Sequence, residues 1–265
     1  MWYHKKFVSL PKLFSFLIVL SSFSAAIGAE KNDDIQASNL PNTILHEAEE
    51  TLQFGNKEFL EEGKQLIEGR PLNLWGIALF SANDWVGTFI RTATDSDYSH
   101  CGLILKDEKD QSQYIFESTG AASKILKGVW PQVQIDLCQE VVDGYNGKVA
   151  QRQFIFNDKS PSSEAVLKYV NDNLGKSYEK SAQALVDAIN RNNKKENLTS
   201  LFCSEMVAAC LIQLGYLNSS DRLAANYLPR DFSSKEFLPW INGVALSEEV
   251  IIKKNPTKGR CCTII

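Results

Sequence analysis

One histidine and one cysteine stand out in this chain as a pair that can do nucleophilic chemistry. His100 opens an apolar run that continues through 101–105, and Cys203 lies far downstream in Phe202-Cys203-Ser204-Glu205. A thiol becomes a strong nucleophile when a nearby base takes its proton, and imidazole is the usual base. The chain holds only three histidines, so His100 has little competition for that role. Together the two residues predict a thiol hydrolase.

The position expected for Cys203 favours a thiolate. Ser200 is predicted to cap a helix over 201–214 that Gly215 ends, which places Cys203 in the first turn. Free backbone N–H groups and the positive end of the helix dipole stabilise a thiolate there, and they can also bind an acyl oxyanion. The alternative for this residue is a buried structural cysteine at a helix start.

A third polar group is needed to hold the imidazole in its working tautomer. Two strands are predicted, 101–105 and 114–117, and the charged turn 106–112 joins them. Glu117 ends the second strand and would lie beside His100 in such a hairpin. The alternatives are an exposed strand-end charge for Glu117 and a half-buried strand histidine for His100.

The remaining elements indicate an α+β protein, with a small antiparallel sheet and helices packed against it. Further strands are predicted over 74–80 and 149–156. Helices are predicted after the polar residues 81–84, from Ser160-Pro161 to Gly175, and around 182–189.

Several stretches resemble the circularly permuted NlpC-type papain-like hydrolases, the YiiX/YaeF-like family. Residues 89–104 are similar to the histidine motif of that family, and residues 202–207 are similar to its nucleophile helix. Two shorter stretches, 175–178 and 229–232, resemble secondary signatures. The histidine strand comes first and the cysteine helix last, as the permutation requires. The resemblance covers roughly residues 74–235.

The resemblance implies a permuted papain-like fold and no cofactor. It makes Cys203 the nucleophile, His100 the base and Glu117 the third catalytic group. Tyr178 and Tyr98 are expected to bind the substrate. The implied reaction cleaves an amide or ester bond of a peptide or lipid acyl substrate through a thioacyl intermediate. Two alternatives stay open: a lipid acyltransferase or phospholipase of the lecithin:retinol acyltransferase-like type, and a catalytically inactive binding module.

Composition and cysteine spacing argue against several other classes. The formal net charge of -4 and the pI near 5.5 give no electrostatic footprint for nucleic acid. The six cysteines show no paired C-x-x-C spacing, which argues against a zinc site. Cys101 and Cys138 could pair in an oxidising compartment, and their separation in sequence leaves that question open.

The two ends carry targeting signals, and the domain expected between them spans 74–245. Residues 1–29 match a secretory signal peptide, although an uncleaved membrane anchor is the alternative, and 30–73 are predicted as an N-terminal helical extension. In the tail 246–265, Cys262 fits a C-a-a-X prenylation pattern and Cys261 offers a second lipidation site. These signals predict an exported protein with membrane association through its tail. They also conflict, because prenylation takes place in the cytosol; two accidental cysteines in a disordered tail are the alternative.

Overall fold

The computed structural model describes residues 61, 63–119, 132–179, 182–196 and 198–255. The predicted signal peptide, most of the predicted N-terminal extension and the lipidation candidates Cys261 and Cys262 lie outside these residues. Within the described ranges, no helix combines the length and apolar character that crossing a membrane requires.

Nine strands of the described residues form one sheet in the order β7-β6-β4-β3-β2-β1-β5-β8, and β9 also pairs with β5. All neighbouring strands run antiparallel except β6 and β7, which are parallel. The strands are β1 (Leu72–Ala82), β2 (His100–Asp107), β3 (Gln113–Thr119), β4 (Gln132–Leu137), β5 (Gly147–Phe156), β6 (Ser177–Tyr178), β7 (Ser200–Leu201), β8 (Val244–Leu246) and β9 (Val250–Lys253).

Helices accompany this sheet, so the described part of the chain has the α+β architecture that the sequence predicts. A short helical segment at 63–67 precedes β1. The longer helices are α1 (Trp85–Thr94), α2 (Cys138–Gly144), α3 (Ser163–Asn173), α4 (Ala182–Asn190) and α5 (Cys203–Gln213), and two 3-10 turns follow at Ala224–Asn226 and Pro229–Phe232.

The sheet buries apolar side chains on both faces, because successive residues of a strand point in opposite directions. Cys101, Leu103 and Leu105 of β2 belong to the larger core cluster, together with residues of α3 and α5. Ile104 of β2 belongs to a smaller cluster with residues of α2. Helix α5 contacts β2 and β3, so the cysteine helix lies over the two strands that carry the predicted histidine and glutamate.

The two faces also answer the question of a disulfide. Cys101 lies in the larger cluster and Cys138 in the smaller one, on opposite sides of the sheet. Both are buried free thiols, as are Cys203 and Cys210. In this structure Cys101 and Cys138 are therefore not paired.

Two helix starts differ from the sequence prediction. Helix α3 is capped by Ser162, whose side chain accepts from the N–H of Ala165, so the helix begins later than Ser160-Pro161 indicates. Ser200 does not cap α5, because it pairs with β6 as part of β7 and its hydroxyl donates to Glu179. Helix α5 begins at Cys203 itself.

The start of α5 holds a buried acid. Glu205 is 4% exposed, and its carboxylate accepts from the N–H of Phe202, the residue before the helix. Burial raises the pKa of Glu205 to about 8, although the hydrogen bond from Phe202 acts in the opposite direction. The carboxyl group is thus easier to protonate in the folded protein than in the unfolded chain.

This shift predicts that Glu205→Gln stabilises the protein as pH rises. A carboxyl group whose pKa is higher in the folded protein than in the unfolded chain contributes stability that is fully present below the unfolded pKa. That stability is lost as the pH rises through the folded pKa of about 8. We expect the substitution to raise the free energy of unfolding by roughly 2–4 kcal/mol near pH 8 and by less than about 1 kcal/mol near pH 5. Urea denaturation measures both values. Glu164→Gln, at an exposed position in the first turn of α3, is the matched control. An equal effect at both pH values would contradict the prediction.

Candidate active site

The histidine and glutamate that the sequence singles out are in direct contact. The Nε2 atom of His100 lies 2.6 Å from Oε2 of Glu117, and their side chains are 18% and 8% exposed. The last paired residues of β2 and β3 are Leu103 and Phe116, so Glu117 follows the end of the pairing directly and His100 lies three residues from it. Gly102 leaves room for it, since a Cβ atom there would lie 3.0 Å from the Cβ of Glu117.

Cys203 completes the cluster from the first residue of α5. Its side chain hydrogen-bonds His100, and the residue is 6% exposed. The segment before the helix is tied to β3, because the hydroxyl of Ser118 donates to the carbonyl of Leu201 over 2.6 Å. The hydroxyl of Ser204 anchors the first turn by donating to the carbonyl of Tyr227. The cysteine is thus held beside the histidine by both the sheet and the loop after α5.

The geometry assigns separate roles to the two ring nitrogens of His100. Nε2 faces the carboxylate of Glu117, which leaves Nδ1 as the nitrogen available to the thiol. A carboxylate at one ring nitrogen fixes the tautomer and orientation of an imidazole and stabilises its charged form. The three residues therefore form a thiol, imidazole and carboxylate series in that order.

The electrostatics of the cluster favour an ion pair. A hydrogen bond from Cys101 lowers the pKa of Cys203; burial opposes it, and the charge of His100 lowers the pKa further, so that it lies well below the usual thiol range. Burial alone would lower the pKa of His100, but the charges of Cys203 and Glu117 raise it to about 10. A thiolate beside an imidazolium is the activated form of a cysteine nucleophile.

Aromatic side chains surround the cluster. Tyr178, predicted as a substrate-binding residue, lies close enough to Cys203 to interact with its charge, and its ring meets Phe202 edge-on at 6.0 Å. The ring of Phe80 lies 5.2 Å from that of His100. These rings give the site an apolar surrounding in which charges interact more strongly than in water.

Tyr145 is a site residue that the sequence did not reveal. Its ring packs against Phe80 at 4.8 Å, its hydroxyl hydrogen-bonds Ser99, and it interacts electrostatically with Glu117 and Cys203. It follows α2 directly, and neither α2 nor β4 was predicted from the sequence. Without these two elements, no sequence signal connected Tyr145 with the histidine strand.

The structure does not bring Tyr98, the other predicted substrate-binding residue, into this cluster. Tyr98 is 1% exposed in the larger core cluster, and its hydroxyl donates to Glu249. The ammonium group of Lys148 lies 4.7 Å from the centre of its ring. The side chain thus turns into the core before β2 begins, and its polar end is satisfied there.

The fold and the cluster define an α+β protein with a cysteine, histidine and glutamate in contact at one end of its sheet. No family model and no curated protein matches the chain. Among solved structures, the chain is similar to the crystal structure of metalloprotein yiiX from Escherichia coli O157:H7, with 19% identity and a TM-score of 0.37. The similar region covers 55% of this chain and 67% of that one. A likeness this distant assigns no activity.

In the part of the chain that the structure describes, no group of three or more His, Cys, Asp or Glu side chains has an arrangement that could hold a metal ion.

Proposed function

We propose that this protein is a cysteine hydrolase of the permuted papain-like type, which cleaves an amide or ester bond through a thioacyl intermediate on Cys203. The observation that carries the proposal is the series of contacts from Cys203 to His100 and from His100 to Glu117. A structural cysteine at a helix start needs no histidine beside it, and a strand-end glutamate needs no buried partner. A catalytic unit explains why all three residues are in contact: the carboxylate orients the imidazole, and the imidazole activates the thiol.

The reaction begins with the Cys203 thiolate attacking the carbonyl carbon of the substrate. The carbonyl oxygen becomes an oxyanion, which the first N–H groups of α5 can bind because they have no acceptor within the helix. The His100 imidazolium then donates its proton to the leaving amine or alcohol, and a thioester remains on Cys203. In the second half, neutral His100 takes a proton from water, hydroxide attacks the thioester, and the acid and the thiolate are released.

The order of the elements supports the permuted arrangement in particular. The strand with His100 comes first, the strand with Glu117 follows, and the helix with Cys203 lies at the end of the series, more than eighty residues later. Antiparallel pairing of β2 with β3 and packing of α5 over both strands support this arrangement of the three residues.

The proposal is tested by trapping the thioacyl enzyme. The full chain is mixed with a p-nitrophenyl fatty acyl ester or an acyl peptide amide and quenched in acid. Mass spectrometry of the digest is expected to find the acyl group on the peptide that carries Cys203. Cys210, buried on the same helix, is the internal control and should stay unmodified. Product release without acylated Cys203 would contradict the proposal.

A second experiment distinguishes hydrolysis from acyl transfer. A mixture of lipids and muropeptides is offered as substrate and acceptor, and the products are identified by mass. Free acid as the main product supports the hydrolase. Transfer to a lipid hydroxyl or amine would assign the chain to the acyltransferase alternative, with Cys203 in the same chemical role.

A further inference from the structure

A second thiol contacts the candidate nucleophile. Cys101 follows His100 directly in β2, and both its side chain and its backbone hydrogen-bond the Cys203 side chain. Cys101 is completely buried, and the catalytic steps described above make no use of it. Its contact with the nucleophile therefore needs an explanation of its own.

It is unusual for two consecutive residues of a strand, here His100 and Cys101, to contact the same side chain, because neighbouring residues point to opposite faces of the sheet. Cys101 belongs to the cluster that includes Cys203, whereas the ring of His100 packs against Phe80, which belongs to the cluster on the other face. Both can reach one sulfur because the pairing between β2 and β3 extends only to Leu103 and does not include His100 or Cys101. The start of α5 lies beside this opening, so the sulfur of Cys203 has donors from both residues.

The direction of the thiol contact follows from the surroundings of the two cysteines: both are buried, but, besides the hydrogen bond from Cys101 itself, the charge and hydrogen bond of His100 lower the pKa of Cys203. Burial raises the pKa of the Cys101 thiol well above its usual range, and the hydrogen bond with Cys203 acts in the same direction. The Cys101 thiol therefore stays protonated and can only be the donor. An S–H group is a weak donor, but hydrogen bonds to a charged acceptor are stronger than those between neutral groups.

We propose that Cys101 is a positioning residue for the nucleophile: its thiol and its backbone N–H donate to the sulfur of Cys203 and hold it as a thiolate that faces His100. The inference rests on the proposed function and extends it to a second cysteine. A thiolate that is already formed and oriented needs no proton transfer before it attacks.

Other ionisable groups surround the pair and stay constant in the experiment. Glu117 on β3, Tyr178 on β6 and Tyr145 after α2 interact with Cys101, Cys203 or both. Asp231, in the 3-10 turn Pro229–Phe232, acts on Cys101. Substitutions restricted to Cys101 leave all of these groups in place.

The test measures the reactivity of Cys203 towards iodoacetamide across pH, in the full chain, by mass spectrometry of the Cys203 peptide. Cys101→Ala and Cys101→Val remove the side-chain donor, and valine, which is slightly larger than cysteine, leaves no cavity and suits a strand. Cys101→Ser keeps a donor. We expect the alkylation midpoint to rise by about one pH unit in the alanine and valine variants, which is about tenfold slower alkylation below the wild-type midpoint. The serine variant should stay near the wild type.

Cys210→Ala is the matched control, because Cys210 is equally buried on α5 and burial is the cause of its raised pKa. Its midpoint should match that of the wild type. An unchanged midpoint in both Cys101→Ala and Cys101→Val would overturn the proposal, and so would an equal rise in Cys101→Ser and Cys101→Val. Alkylation needs no turnover, so a failure of the proposed hydrolase would appear separately, as absent product with the alkylation profile intact.

Discussion

Replacing Cys203 by alanine is expected to abolish covalent labelling by a thiol-directed acyl probe and to reduce turnover at least about 10⁴-fold. The substitution removes the only atom that can form the thioacyl bond, and neither His100 nor Glu117 can take its place. It also removes the negative charge that helps to raise the pKa of His100, so this pKa should fall in the variant. The loss of activity should therefore come with a measurable change at the histidine.

The fold of the Cys203→Ala variant should be retained. The side chain is small, and the segment before α5 keeps its bond from Ser118 to Leu201. Circular dichroism and thermal unfolding check this point, and NMR titration follows the ring of His100. Cys210→Ala and Cys138→Ala are the matched controls, because both remove a buried thiol outside the cluster and should label normally. Labelling that persists in folded Cys203→Ala would exclude Cys203 as the nucleophile.

The contact between His100 and Glu117 was predictable because it depends on local sequence patterns. A turn of charged residues separates two short apolar runs, so a hairpin follows, and its alternation places the glutamate beside the histidine. The position of Cys203 in a first helical turn was also predictable, although the capping residue was wrong. Ser200 is a good cap by type, but pairing of β7 with β6 takes it into the sheet.

Features that depend on distant pairing were not predictable from the same patterns. Strand β4 follows β3 only after residues 120–131, and β9 lies in the segment 246–265 assigned to the tail, yet both pair within the sheet. Tyr145 reaches the site only because α2 follows β4. The contact of both His100 and Cys101 with Cys203 goes against strand alternation, and it depends on where the pairing of β2 with β3 ends. No local sequence pattern encodes where the pairing of two strands ends.

Replacing His100 by alanine is expected to reduce turnover by about 10³–10⁴-fold, because it removes both the base and the acid of the proposed reaction. In the wild type, the imidazolium of His100 is present below its pKa of about 10 and is lost as pH rises through that value. Acylation should therefore rise with pH through the ionisation of Cys203 and decline near pH 10. In His100→Ala the rising limb should move up towards the ordinary thiol range, and the decline near pH 10 should disappear.

Glu117→Gln separates the role of the carboxylate from that of the ring. The amide oxygen can still accept from Nε2 of His100, so the ring keeps its orientation, but the charge that supports the imidazolium is gone. We expect a loss of about 10–100-fold, smaller than that of His100→Ala, with the decline in acylation moved to lower pH. Single-turnover acylation across pH measures both limbs, and Glu108→Gln, at the opposite end of the hairpin, is the matched control. A Glu117→Gln profile identical to the wild type would show that the carboxylate is a structural partner of His100 and does not take part in the reaction.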